Sequence, residues 1–202
     1  MKTVHVRCLL FVVLTAVIML GSGCAFTHET VAVTYLPQDG VSKVAGAGDV
    51  QVKVEVRDVR PRTDRISSKR NGYGMECAPM TSEEDVTTIV SNAIQTELRN
   101  RGFRVDGQSV LVIVDLIEFY CDFKMGLFAA DADGRVAMEV QVKKKGGKVF
   151  YKRTVEAEHH KGAGVTSHGN VKVVMEAALQ KAMHSLMEDT AMIDAILKAS
   201  KD

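Results

Sequence analysis

Tryptophan is absent from the 202 residues, and aromatic side chains make up only 5% of them. That leaves little with which to build the stacking platforms that hold bases or sugars. An excess of one charge is missing too: Lys+Arg 26 against Asp+Glu 25 gives a formal net charge of +1, whereas a dedicated nucleic-acid binder shows a basic surplus. The spacings of a metal site are lacking, since no HxxxH or CxxC pair occurs. His159 and His160 are neighbours, so on a strand they point to opposite faces. Gly162-Ala-Gly164 lacks a third glycine three positions on and no Gly-Lys-Ser/Thr follows it, and there is no Gly-x-Ser-x-Gly elbow for a nucleophilic serine. Asp115, Glu118 and Asp122 form a carboxylate set on a predicted strand, but nothing in their spacing would shift a pKa. The expectation is therefore a protein without catalysis, cofactor, metal or nucleic-acid partner. Disorder of the whole chain is equally excluded, because 46% hydrophobic with 25% charged residues is a globular mixture.

Long apolar runs are scarce as well. The most prominent is Leu9–Leu20, broken solely by Thr15, inside a stretch of residues 1–23 that has no acidic residue and only Lys2 and Arg7 as charges. At a dozen residues it falls short of the ~20 that span a bilayer. A basic start, an apolar middle and a small-residue exit make a signal peptide. The exit, Leu20-Gly21-Ser22-Gly23-Cys24, resembles a bacterial lipoprotein signal, with lipid attached to Cys24. Ala25 follows, and in the sorting logic this resemblance implies, a residue other than Asp there favours the outer membrane, facing the periplasm. Several acyl chains at about 0.8 kcal/mol per buried CH₂ make a stable anchor. Loss of Lys2 and Arg7 with the signal takes the basic count from 26 to 24 against 25 acidic residues, a net charge of −1. Of the four cysteines, Cys8 leaves with the signal and Cys24 is consumed by lipid, which leaves Cys77 and Cys121. In an oxidising compartment they form either a disulfide or two separate thiols.

The rest divides into a lead-in over residues 24–48 and a single domain over 49–202. Residues 31–36 read as a short strand, and Pro37 with Ala45-Gly-Ala-Gly48 reads as a flexible connection. Val50, Val52, Val54 and Val56 alternate with polar residues as a half-exposed strand. Arg60–Gly74 is polar and reads as a loop. A helix is predicted from Ser82, with Glu83, Glu84 and Asp85 in its first turn and a stripe of Val86, Ile89, Val90, Ala93, Ile94 and Leu98. Gly102 ends it. Val110–Phe123 is apolar enough for a central strand buried on both faces. Arg135–Lys145 and Lys148–His159 form a hairpin around Gly146-Gly147. After a loop over 162–169, Asn170 caps a second long helix carrying Met175, Met183 and Met187, and a short third helix covers 190–199. The fold class is α+β: a two-layer sandwich whose mixed or antiparallel sheet carries two long helices on one face.

Two surfaces stand out for interaction. Lys143, Lys144, Lys145 and Lys148 make the hairpin tip basic, which suits docking on an anionic polymer or membrane or simply guards a sheet edge. In the polar loop, Arg60 and Asp64 lie near Tyr73 and Met75. They offer a partner-contact surface or, alternatively, a loop in which Asp58 and Asp64 tie Arg60 and Arg65 locally.

The Cys24 signal, Val56-Arg-Asp58-Val-Arg60, Lys69-Arg-Asn-Gly-Tyr-Gly-Met-Glu76 and Leu98-Arg-Asn-Arg-Gly102-Phe103 together resemble the YajG-like lipoproteins. The resemblance runs over most of the mature chain. It implies a cell-envelope lipoprotein with an α/β domain similar to that at the start of TolB-like periplasmic proteins, and an accessory or assembly role rather than chemistry. The function expected is a lipid-anchored accessory protein that binds another envelope protein through a sheet edge or the 60–80 segment. The alternative is a periplasmic small-ligand-binding or sensor module, with Met175, Met183, Met187 and Met192 lining an adaptable pocket.

Overall fold

The alternating valines form a strand, Val52–Asp58, whose valines face the core while Lys53 and Arg57 are exposed. A computed structural model of the chain describes residues 27–202 apart from 71–72, 126–129, 145 and 164–167. The predicted signal segment 1–23, Cys24 and Lys145 lie outside the described residues. In chain order the elements are β1 (Glu29–Val31), β2 (Val52–Asp58), β3 (Ser67–Arg70), β4 (Glu76–Ser82), α1 (Val86–Asn100), β5 (Val110–Met125), β6 (Ala130–Lys144), β7 (Val149–Ala163), α2 (His168–Met187) and α3 (Thr190–Lys201). The strands make one mixed seven-stranded sheet in the order β1-β4-β3-β5-β6-β7, with β2 also on β5. All three helices pack on this sheet, which is the expected α+β sandwich.

β5 is the spine. One of its edges pairs antiparallel with β6 from Val110↔Lys144 to Met125↔Ala130. The other edge is shared: β2 runs parallel to it from Val52↔Val110 to Asp58↔Leu116, and β3 joins farther along at Ser67↔Cys121. β5 is not buried on both faces as its composition suggests. Val110, Val112, Val114 and Leu116 are fully covered, whereas Leu111, Ile113 and Asp115 are only partly so. A bulge between Leu116 and Glu118 leaves Ile117 39% exposed, and the buried positions become Phe119, Cys121 and Phe123. One extra residue changes the phase of the alternation. This is why the sequence reads as a continuous apolar run.

The polar stretch 60–74 is not all loop. Ser67–Arg70 and Glu76–Ser82 pair as an antiparallel hairpin, and α1 accordingly starts four residues later than predicted. Asp85 is its N-cap rather than a first-turn residue; its carboxylate accepts from the backbone N–H groups of Thr87 (2.8 Å) and Thr88 (3.4 Å), two of the donors a helix start leaves unpaired. The predicted stripe is buried throughout, with Ile94 and Leu98 at 0% exposure, each worth about 1.5–3 kcal/mol of burial. Gly102, at φ +96°, closes the helix. The turn between β6 and β7 uses two positive-φ glycines, Gly146 and Gly147, a backbone other residues avoid. β7 continues to Ala163 and α2 begins at His168, so Asn170 lies within the helix rather than capping it.

The lead-in is not a flexible connection. Val31, Val33 and Ala47 belong to the core. The Thr34 N–H and hydroxyl both donate to Glu176 of α2 (2.9 and 2.6 Å), and the Val44 N–H donates to the Arg101 carbonyl at 2.9 Å. Residues 32–50 thus form a strap across the helices, from β1 at one edge of the sheet to the start of β2.

Candidate functional site

Between the end of β2 at Leu116 and the start of β3 at Cys121, the edge of β5 has no strand beside it among the described residues. Arg60 fills this gap. Its Nε and Nη2 donate to the two oxygens of Asp58 (2.9 and 2.8 Å), Nη1 to the carbonyls of Arg65 (3.2 Å) and Phe119 (3.1 Å), and Nη2 to the Thr63 carbonyl (3.2 Å). A guanidinium has five N–H donors, and here five bonds engage it. Arg60 is 7% exposed, so it is a structural pin and not a partner-contact residue. The pairing holds the Asp58 carboxyl below its ordinary range, the hydrogen bond from Arg60 being the largest cause. Asp64 does the same locally with Arg65 at 2.7 Å. Arg65 also reaches Glu76 of β4 at 3.0 Å, where Arg62 joins it at 2.9 Å. The local tying of the arginines is therefore what the structure adopts.

Tyr73 and Met75 sit where the β3–β4 hairpin turns, 91% and 60% exposed. Of the four residues named for one contact surface, Arg60 is buried while Asp64, Tyr73 and Met75 are exposed. Cys77 and Cys121 do not form a disulfide; both are free. β3 lies between β4 and β5, and two strand spacings of about 4.8 Å exceed the roughly 4.4–6.8 Å over which a disulfide joins Cα atoms. Burial pushes the Cys121 thiol up to about 12.

On the sheet face away from the helices, acids and bases interleave. Asp115 takes Arg57 at 2.6 Å, Glu118 takes Arg135 at 3.5 Å and Asp122 takes Arg70 at 3.1 Å. The three carboxylates considered for acid–base work are thus spent on separate ion pairs. The basic hairpin tip is partly neutralised: Lys148 meets Asp202 at 3.0 Å and Lys152 meets Glu139 at 3.0 Å, while Lys143 and Lys144 close β6. His160 bonds Asp133 at 2.6 Å. His159 lies beside Lys181 of α2, and burial, then that charge, lowers its pKa. No group of three or more His, Cys, Asp or Glu suited to a metal occurs among the described residues.

Sequence reasoning missed the buried acid Glu97, on the apolar stripe of α1 at 0% exposure. It accepts from the Tyr35 hydroxyl (2.7 Å), the Gln38 N–H (2.9 Å) and Arg101 Nη1 (2.5 Å), and Arg101 Nη2 donates to the Gln38 side chain at 2.9 Å. Burial first, then Glu97, raises the Tyr35 hydroxyl pKa. The i,i+4 spacing of Glu97 and Arg101 is legible in the chain; their burial beneath the lead-in is not. Beside this network an open groove of about 610 Å³ runs between Gln38–Val44 and the α2–α3 corner, with His184, Glu188 and Asp194 on its wall. Met175, Met183 and Met192 are fully buried core, and Met187 alone of the four reaches the groove. Three of the four methionines thus fill the interior instead of lining a pocket.

A family model described as an uncharacterized lipoprotein matches residues 37–197, which include most of the strap, the pin, strands β2 to β7, α1, α2 and most of α3. The chain belongs to this lipoprotein family. Membership places it with membrane-anchored proteins of the bacterial envelope. Its fold is similar to that of a DUF330-family protein from Xanthomonas campestris, with a TM-score of 0.58 at 14% identity over 87% of this chain and 99% of the other. A minor lipoprotein from Acinetobacter baumannii aligns with a TM-score of 0.45 at 8% identity, over 71% of this chain and 92% of its own. No curated protein matches the sequence.

Proposed function

We propose that this is a YajG-like accessory lipoprotein, held by acyl chains on Cys24 in the outer membrane and facing the periplasm, that binds another envelope protein along the free edge of β7 and catalyses no reaction. The observation that carries this reading is the edge itself. β7 is fifteen residues long and stands last in the sheet, with no strand on its outer side among the described residues. Such an edge offers a ladder of backbone groups to an incoming strand. Its exposed side chains include Lys152, Arg153, Glu156 and Glu158, and mixed charge of this kind restrains indiscriminate pairing while leaving a partner-specific pattern. The absence of catalysis is supported by the separate ion pairs of Asp115, Glu118 and Asp122. The filled, methionine-rich interior favours this reading over a ligand carrier.

Photo-crosslinking in cells tests it. A crosslinking residue at Thr154, Glu156 or Glu158 should give one discrete adduct. The same residue at Lys53, on the open face of β2, should not. Absence of any adduct from β7, or identical adducts from β2, overturns the reading.

A further inference from the structure

The first described residues leave the body at one end of the sheet. β1 runs parallel to β4 with Glu29↔Met80 in register, so Thr27 lies level with Ala78. Lys69, the partner of Ala78, confirms the level: its Nζ donates to the Thr27 hydroxyl at 3.4 Å and pairs with Glu29 at 3.1 Å. Traced backwards from Glu29, the chain heads towards the turn of the β3–β4 hairpin. Between Thr27 and Cys24 there are three peptide links, which span at most about 11 Å. Beyond the Thr27 level the hairpin itself continues through Arg70↔Glu76 to Tyr73, a further rise of roughly 10 Å. At full stretch the tether only about matches the overhang.

We infer that the β3–β4 hairpin end of the sheet rests on the bilayer that holds the lipid of Cys24, with Tyr73 and Met75 in its headgroup layer. This rests on the lipoprotein reading of Cys24 and adds an orientation to it. A longer tether would let the body drift clear of the surface; this one brings the hairpin tip down to it. The side chains found there suit the place: Tyr73, 91% exposed, has an apolar ring with a polar tip, and Met75, 60% exposed, is apolar and pliable. The β6–β7 turn, with Lys143, Lys144 and Lys148, is at the opposite end, roughly 45 Å away along β6 at strand rise. The basic tip therefore points away from the anchoring membrane, and the free edge of β7 stands between the two ends.

The absence of tryptophan makes a clean test. Tyr73→Trp and Val149→Trp each introduce a single fluorophore at an exposed site, one at each end of the sheet. The full lipidated chains are placed in phosphatidylethanolamine–phosphatidylglycerol vesicles, with and without brominated acyl chains. Indole emission from the Tyr73→Trp chain should shift to the blue and lose intensity to the brominated lipid, while emission from the Val149→Trp chain should do neither. An unquenched indole in vesicle-bound Tyr73→Trp protein overturns the orientation alone, and so does equal quenching of both variants. Flotation and the mass of Cys24 report the anchor separately: an unmodified Cys24 with no flotation brings down the lipoprotein reading and the orientation with it.

Discussion

Arg60 is the residue on which the join between β2 and β3 depends, because one guanidinium satisfies three carbonyls and a carboxylate at once. Lysine keeps the charge but not the planar fork and leaves buried carbonyls unpaired, so Arg60→Lys should lower stability by about 1–3 kcal/mol, read as a fall in the urea midpoint. Asp58 sets a pH dependence whose sign follows from its lowered pKa. Its contribution is complete above the unfolded value near about 3.9 and drains away as pH falls through the lower native value. In urea titrations between about pH 6 and pH 2, Asp58→Asn should be less stable at the upper end and show a shallower acid slope than the wild type. Cysteine chemistry gives a second check at this scale. With Cys121 buried and its pKa pushed up to about 12, a thiol reagent near neutral pH should label Cys77 in a folded chain beginning at Thr27 and both residues after denaturation; two protected thiols in the denatured chain would mean a disulfide. The Asp58/Arg60 pair was visible in the sequence as local partners two residues apart. That Arg60 also holds the Phe119 carbonyl was not, because this partner comes from a strand 59 residues away.

At the scale of elements, patterning carried the strands and helices that have one apolar face: β2, β6, α1 and α3 lie close to where periodicity puts them. It failed where pairing rather than burial makes the strand. β3 is Ser-Ser-Lys-Arg, and β4 contains Pro79, a residue without an N–H for a ladder. Pro79 is tolerated because the β1 ladder pairs with β4 only from Met80 to Ser82 and stops before Pro79. Helix–sheet packing has its own critical position, Gly134 on β6. A Cβ added there would stand 2.7 Å from the Val174 carbonyl oxygen and 2.9 Å from its carbon, both backbone atoms of α2 that cannot swing aside. Gly134→Ala should therefore lift the first half of α2 from the sheet and cost about 1–3 kcal/mol, the usual range for overpacking. Gly162, whose added Cβ would approach nothing closer than 3.8 Å, should accept alanine with little change. Thermal melts of the two variants side by side separate a packing effect from a general intolerance of alanine in strands.

Across the whole molecule, the boundary drawn at residue 49 from the run Ala45-Gly-Ala-Gly48 is not a boundary in structure. Small residues at that point serve close packing: Ala47 is fully buried, and the Cβ of Ala47 lies 3.6 Å from where one on Gly102 would stand. The strap also completes the polar network inside the helix layer. Without residues 27–48, Glu97 loses the Tyr35 hydroxyl and the Gln38 N–H, Arg101 loses the Gln38 side chain, and both are left in an apolar layer opened by the departure of Val31 and Val33. A buried acid with its partners removed costs several kcal/mol, comparable with the entire stability of a domain this size. A chain beginning at residue 49 should therefore show no cooperative urea transition, whereas one beginning at Thr27 should unfold in a single step. Glu97→Ala within the longer chain isolates the network's share: it leaves Arg101, 5% exposed, without its carboxylate and should lower the midpoint by the equivalent of about 3–5 kcal/mol. A short chain that folded as well as the long one would make the strap a mere covering. Failure of the short chain would mean that residues 27–48 are part of the folded unit rather than a spacer in front of it.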